Sequence, residues 1–486
     1  MIPALFDLPP AFWFSLVLLA GVTAYAWAHR HQGWGIPAMA VCGTVFVWYH
    51  GDALYNDYFE YSRQFSRPVL DAAWWQVAGF LGVFACFAPL ISACLTRENA
   101  SQGSVVMSWV ESRHSLQRIQ PILGPTLKLL AMVWIVLTLV ALVRTGFDFQ
   151  GLFAPWLGRR ANPWARGRIG GGADFLFSLA SYVNIFCLAG FGVVAALANR
   201  RRLQVHAVTL VALSWPYVLI DRTRNTMLAI VLPGLLCLAF LRFRRQPWLQ
   251  VCLLGLAFLA LHTWFGFVLH QRSSQSVAAA VSRGRFRETG DVHHLGLNMY
   301  EELCWVNQFF REGTYEPSWG HRYFAEAVNF VPRTIWPNKP TIGLDYSIAR
   351  GQGTGRGADD VHATISTGMI GQGVVNFGTW LGPAAAALLM AIWVGVLAKL
   401  DLAGHDMGYL PLYLLGLTLT FNLGRDITLL VAYPLVFGIL IVWSFERFTG
   451  TRISIDRMSG VGRRYPFRVK KAIHGNNRLR TSSSRC

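Results

Sequence analysis

The sequence predicts an all-α polytopic membrane protein of about eleven (10–12) transmembrane helices with one large extracytoplasmic loop. Three observations carry this. Only 14% of the 486 residues are charged and 53% are hydrophobic, where a soluble domain carries about 25% charged residues. The apolar residues fall in long blocks, which is how a spanning helix reads. The chain is also rich in Trp (19) and Phe (32), which suit membrane interfaces and a sugar- or lipid-facing surface. Mean hydropathy is +0.38.

The blocks follow one another at 11–28, 36–50, 69–95, 124–143, 174–198, 203–220, 226–241, 249–270, 377–398, 409–423 and 427–446. The first has neither a basic start nor a small-residue cleavage site after it, so it reads as a retained helix. Residues 1–270 thus form an N-terminal set of eight helices. Residues 271–376 form the large loop with short helices, 377–446 the C-terminal helices, and 447–486 a basic disordered cytoplasmic tail. No period of repetition stands out, which argues against a solenoid.

Sidedness follows from short basic loops, which stay cytoplasmic. "NRRRLQ" (199–204) and "RFRRQP" (242–247) are separated by two helices and agree with each other. The tail, with eleven Lys and Arg against one Asp, agrees too. Counting back from it places 221–225, 271–376 and 424–426 outside. The acidic loop "GDALYNDYFEYSRQ" (51–64) fits that side. The Arg-rich loop 144–173 falls outside as well, against the rule.

Several functions are argued against. No phosphate-cradling Gly-rich loop with its Lys is present, and "GQGTGRG" (351–357) follows no strand. The eight Cys have no metal spacing, and "HH" (293–294) and "ADD" (358–360) are weak metal signals. No nucleophile elbow occurs. The formal net charge of +18 belongs to membrane sidedness rather than to nucleic acid.

What the chain does contain is cations at helix ends on one face. Arg222 and Arg224 sit between two short apolar runs, with only Asp221 nearby to neutralise one of them. Arg425 stands beside Asp426 at a second junction. Charges at the membrane edge are costly and are usually paired or functional. In "FVPRTIWPNKP" (330–340), Pro332, Pro337 and Pro340 stiffen the backbone around Arg333, Trp336 and Lys339. Arg binds phosphate as a fork and Lys as a point charge. A lipid-linked diphosphate answers this pattern, because its sugar bond is already activated and needs no nucleotide.

The strip "GTYEPSWGHRYFAEAVNFVPRTIWPNKP" and the later "GMIGQGVVNFGTWLGPAAAALLMAIWVGV" resemble the oligosaccharide repeat-unit (O-antigen type) polymerases of bacterial inner membranes. The matching positions are Pro332, Arg333, Trp336, Lys339 and Pro340, then Gly371, Gly373, Asn376, Phe377 and Gly378. The helix-junction arginines at 222 or 224 and at 425 are similar as well. The likeness covers about 214–446. It implies a C-type glycosyltransferase (GT-C) architecture and a metal-independent reaction without cofactor. A growing glycan passes from one undecaprenyl-diphosphate carrier to a lipid-linked repeat unit. The expected partners are those undecaprenyl-diphosphate-linked oligosaccharides, a chain-length regulator and other polysaccharide assembly proteins. Arg222, Arg224 and Arg333 are the expected catalytic cations, with His362 as base and His321 as its alternative. Lys339, Arg425, Trp336, His321 and Asn376 are expected to hold substrate. A ligase with another acceptor, a transporter of lipid-linked sugar and a non-catalytic scaffold are the competing readings.

Overall fold

A computed structural model describes residues 8–55, 63–96, 103–107, 115–154, 161, 163–164, 174–221, 224–243, 245–273, 298–328, 331, 335–340, 343–350, 365–402 and 409–449. Among the described residues every regular element is a helix. The N-terminal series is α1 (Pro10–Ala28), α2 (Gly35–Val45), α3 (Arg67–Leu95), α4 (Ser115–Arg144), the single-turn α5 (Phe149–Phe153), α6 (Asp174–Leu197), α7 (Arg201–Asp221), α8 (Arg224–Cys237) and α9 (Pro247–Ser273). The polar interval holds α10 (Met299–Glu312), α11 (His321–Ala327) and α12 (Leu344–Ala349). The C-terminal helices are α13 (Gly368–Leu402), α14 (Tyr409–Leu423) and α15 (Leu429–Thr449).

Each of the eleven apolar blocks is therefore helical. Five helices are long and apolar enough to cross a membrane: α1, α3, Leu123–Arg144 of α4, Ala180–Leu197 of α6, and α13. Local chemistry sets several ends. Pro10 opens α1 and Pro68 opens α3, at positions where a missing N–H is harmless. Gly313 closes α10 in the left-handed conformation, φ 68°. There Thr314 N–H reaches Phe309 O at 3.0 Å and Gly313 N–H reaches Phe310 O at 3.3 Å, the paired bonds of a Schellman stop.

Two bundles share the molecule. In the first, α1, α2, α3, α10 and α13 enclose one core around Trp74, Tyr49, Tyr300 and Phe80. The second packs α4, α6, α7 and α8 around Phe191, Leu188 and Cys187. There Gly234 and Gly192 let the backbones of α8 and α6 come close, since a Cβ on Gly234 would lie 2.9 Å from the Gly192 carbonyl carbon. The end of α13 with α14 and α15 forms a third cluster, into which Phe186 of α6 packs.

Buried polar groups fasten the polar interval to the helices beneath it. Past α2 a π-helical stretch runs over Phe46–Gly51, and Asp52 follows it. The Asp52 carboxylate accepts from Tyr300 N–H (2.7 Å) and Glu301 N–H (3.3 Å). It thereby caps the positive end of α10 from outside that helix. Gln76 of α3 and Asn307 of α10 exchange two amide hydrogen bonds at 2.7 and 2.8 Å. Arg350, just past α12, grips Glu302 of α10 at 3.2 and 3.1 Å, while Tyr346 donates to the same carboxylate at 2.6 Å.

The large loop ends earlier than the apolar block at 377 implies. α13 begins at Gly368, and at Gly378 (φ 79°, ψ −179°) it turns sharply. Residues 368–377 thus form a separate arm, folded back onto the long segment 379–402. The glycine-rich run that reads as loop is helical because its missing side chains let two backbones touch. A Cβ on Gly373 would sit 2.1 Å from Gly382 O, and one on Gly382 would sit 2.4 Å from Val374 N. Every residue from 369 to 376 is buried.

Gly378 holds a conformation that only glycine enters without strain. Gly378→Ala is expected to destabilise the fold by about 1–3 kcal/mol, read as a lowered Tm of the detergent-solubilised protein. An unchanged Tm would contradict the turn at this position.

Candidate functional site

Three segments meet at one end of the arm: α11, the stretch 365–367 that leads into the arm, and the α14–α15 junction at 424–428. Gly424 O accepts from Met369 N–H at 3.0 Å. Tyr49 Oη accepts from Ile370 N–H at 2.9 Å, so the first free N–H groups of the arm are satisfied. Gln372 of the arm accepts from Ile427 N–H at 2.7 Å. Thr428 donates to Glu326 Oε2 of α11 at 2.7 Å. The other end of the arm is held by the loop before α11: Ser318 N–H reaches Val375 O at 2.9 Å and Gly320 N–H reaches Asn376 O at 3.3 Å.

Arg322 lies in the middle of this junction. It is 5% exposed, yet its Nε and Nη1 have no hydrogen-bond partner. Gly343 (φ +64°) leaves room for it, as a Cβ there would stand 3.0 Å from Nη2. The guanidinium is 6.0 Å above the Tyr346 ring. Asp426 and Glu326 are its electrostatic neighbours. Removing a guanidinium from water costs several kcal/mol unless its donors are met. Here two of them are not.

The carboxyls around it lean toward their protonated forms. Burial pushes Glu326 up from 4.5 to about 7, against the lowering effect of the Thr428 hydroxyl and Arg322. Burial also raises Asp426, although Arg322, the Ser366 hydroxyl and Arg425 pull it the other way. Asp426 Oδ1 is buried without a hydrogen-bond partner. The junction therefore carries two guanidinium groups, the buried Arg322 and the exposed Arg425, against two carboxyls that are hard to ionise. Such a site favours an anion with several acceptor oxygens. It also offers, in Glu326, a group that exchanges protons near neutral pH.

Four of the expected residues, Arg425, His321, Trp336 and Asn376, gather around α11, in differing roles. Arg425 is exposed at the junction, and its Nε donates to Ser366 Oγ at 3.0 Å. His321 is the exposed first residue of α11. Trp336 is 36% exposed and meets Phe324 of α11 edge-on, centroids 6.4 Å apart.

Two positions differ from the sequence reading. Asn376 is fully enclosed rather than open to substrate. Its Oδ1 accepts from Tyr323 N–H (3.2 Å) and Ser318 Oγ (3.3 Å), and its Nδ2 donates to Gln372 O (2.8 Å). It holds α11 on the arm. Lys339 is 6% exposed, and its ammonium donates to Val331 O at 2.8 Å, closing the proline-rich strip on itself. Arg224 opens α8, at a helix end whose N–H groups lack helical partners. Arg222, Arg333 and His362 lie outside the described residues, as do "GQGTGRG", "HH" and "ADD".

Sequence reasoning missed Arg322, Glu326 and Trp319. The first two stand four apart on one short helix, and that i, i+4 spacing was the available signal. Trp319 had none. It is 72% exposed with φ 48°, an uncommon conformation for a bulky residue. Its neighbours' N–H groups tie it to the arm and leave the indole in solvent.

Comparison with protein-family models, with curated proteins and with solved structures returns no match.

With Glu326 raised, the folded chain holds a proton that the unfolded chain releases between about 4.5 and 7. Its stabilisation is full below pH 4.5 and is lost as pH rises through 7, on the order of 3 kcal/mol. Asp426 adds to the same trend. Glu326→Gln should flatten the fall in Tm between pH 5 and 8. A pH profile identical to that of the unmodified protein would refute the assignment.

Proposed function

We propose that the chain is a polysaccharide polymerase of the bacterial inner membrane, with about eleven spans, a GT-C-like architecture and its site on the periplasmic side. The observation that carries this reading is the buried guanidinium of Arg322, whose Nε and Nη1 have no hydrogen-bond partner and which shares Asp426 with Arg425 as an electrostatic neighbour. The family likeness of the segments that build the junction, the arm and the proline-rich strip, supports it.

In this reading the donor glycan arrives on an undecaprenyl diphosphate whose chain lies among the helices. Arg322 and Arg425 face the diphosphate, and Arg222, Arg224 and Arg333 are the further cations the sequence offers to the same anion. The bond between the sugar's anomeric carbon and the diphosphate oxygen breaks. The leaving diphosphate takes the bonding electrons, and the arginines stabilise its added charge. A hydroxyl of the lipid-linked repeat unit forms the new glycosidic bond, and its proton passes to the Glu326 carboxylate. Trp319, Phe324 and Trp336 offer exposed ring faces to the sugars. No nucleotide enters, because the sugar–diphosphate bond supplies the driving force. A chain-length regulator and other assembly proteins are the partners this activity calls for.

Arg322→Ala should lower polymerisation by about 10²–10³-fold while single-repeat product still accumulates. Arg322→Lys should retain part of the activity, since charge remains without the fork. Electrophoresis of polymer from cells with equal protein levels reads both outcomes. Normal ladders from Arg322→Ala would refute the reading.

A further inference from the structure

The second bundle gathers positive charge at one end. α6 ends at Leu197 and α7 starts at Arg201. Arg200, Arg201 and Arg202 stand at this joint, all exposed. Farther along the chain a π-helical turn, Leu238–Arg242, prolongs α8 and packs Leu238 and Leu241 against the same core. It ends on Arg242, and Arg245 follows before α9; both are exposed.

The two basic loops are joined to each other. Arg242 Nη1 donates to Asn199 Oδ1. Asn199 is itself held from α4: its N–H donates to Gln120 Oε1 at 2.9 Å, and Gln120 Nε2 donates to Leu197 O at 2.8 Å. Gln204 Nε2 of α7 reaches back to Ala195 O of α6 at 3.4 Å. Gln250 Nε2 of α9 does the same to Ala239 O of the π-helical turn at 3.1 Å. Side-chain amides thus hold together two arginine groups that lie far apart in the chain.

Nothing nearby balances them. Residues 198–206 and 238–250 contain no Asp or Glu. Among the described residues none of the five arginines pairs with a carboxylate. Five guanidinium groups collected at one end leave a strong positive potential there.

Their level in the bilayer identifies the partner. The apolar span Ala180–Leu197 ends three residues before Arg200, and the apolar stretch Pro247–Ala257 begins two residues after Arg245. Trp248, 81% exposed, stands at the start of that stretch, where interfacial tryptophans sit. The arginines therefore lie at headgroup depth, which favours a lipid over a soluble acidic partner. Arg takes a phosphate in paired hydrogen bonds. A zwitterionic headgroup would also bring a cation to these arginines, whereas an anionic one brings none.

We propose that Arg200, Arg201, Arg202, Arg242 and Arg245 form a site for one anionic phospholipid headgroup, shaped by the bond between Arg242 and Asn199. This site is separate from the α11 junction and does not depend on the polymerase reading.

The test is native mass spectrometry of the delipidated full-length protein in detergent, titrated with phosphatidylglycerol or phosphatidylcholine. It reads the Kd of the first lipid bound. The unmodified protein should bind phosphatidylglycerol about tenfold tighter than phosphatidylcholine, or more. Asn199→Ala removes the bond to Arg242 without changing any charge. It should weaken phosphatidylglycerol about fivefold, the factor one net hydrogen bond supplies, and leave phosphatidylcholine as it was. Arg242→Gln should weaken phosphatidylglycerol about tenfold or more, as on losing a charge-assisted contact. Both residues are exposed, so an unchanged Tm checks that each variant is folded. Equal affinity of the unmodified protein for the two lipids overturns the proposal. So does phosphatidylglycerol affinity that neither variant changes, which would assign the preference to the basic tail. A loss in Arg242→Gln without one in Asn199→Ala overturns it as well, because charge alone, and not a built site, would then be responsible.

Discussion

The region around α11 depends on one close approach: the backbone of the arm at Gly373 against the start of the long segment at Gly382. A Cβ at either position would strike backbone atoms nearer than 2.5 Å. Two glycines and the turn at Gly378 therefore let 368–377 fold back as a fully buried helix. Folding back places the arm's first N–H groups at Gly424 and Tyr49, and its last carbonyls at Ser318 and Gly320. Each end of the arm thus fixes a segment that carries site residues. The α14–α15 junction brings Arg425, Asp426 and Thr428. The loop at 318–320 starts α11 and so brings Arg322 and Glu326.

The electrostatics follow from this geometry. α11 is pressed against the arm by Asn376, which leaves Arg322 nearly without solvent. The two carboxyls that face it are themselves raised by burial, so they compensate its charge poorly near neutral pH. A fold that keeps such a group accepts a cost of several kcal/mol. A bound anion would meet its unpartnered donors. This contrasts with Lys339, whose ammonium meets a backbone carbonyl, and with Arg350, which grips Glu302 in two hydrogen bonds. Those cations build structure. Arg322 is left with Nε and Nη1 unpartnered.

Much of the fold was legible because apolar block length has few other meanings in a chain this greasy. All eleven blocks are helices, with ends shifted by a few residues except at the starts of α4 and α13. The α13 start was misplaced because Gly-rich sequence ordinarily signals a loop, and only tertiary contact shows that glycines here serve close packing. The site was legible in its neighbourhood but not in its leading residue. Arg425, His321, Trp336 and Asn376 do gather at α11, because stiff, polar or aromatic residues at helix junctions announce themselves. Arg322 did not, since Glu326 four residues on suggests an ordinary helical ion pair. Only the three-dimensional arrangement shows Glu326 hydrogen-bonded to Thr428 instead. Asp52 capping α10 was invisible for a similar reason: the two lie far apart in the chain.

The most direct test of the central claim is the affinity of the purified protein for a short isoprenyl diphosphate such as geranyl diphosphate. It can be read as a rise in Tm with ligand concentration. The account predicts saturable stabilisation, weakened by salt, with Kd raised about tenfold or more in Arg322→Ala, as expected on losing a charge-assisted contact. Equal affinity in the unmodified protein and Arg322→Ala, at matched folding, would contradict it.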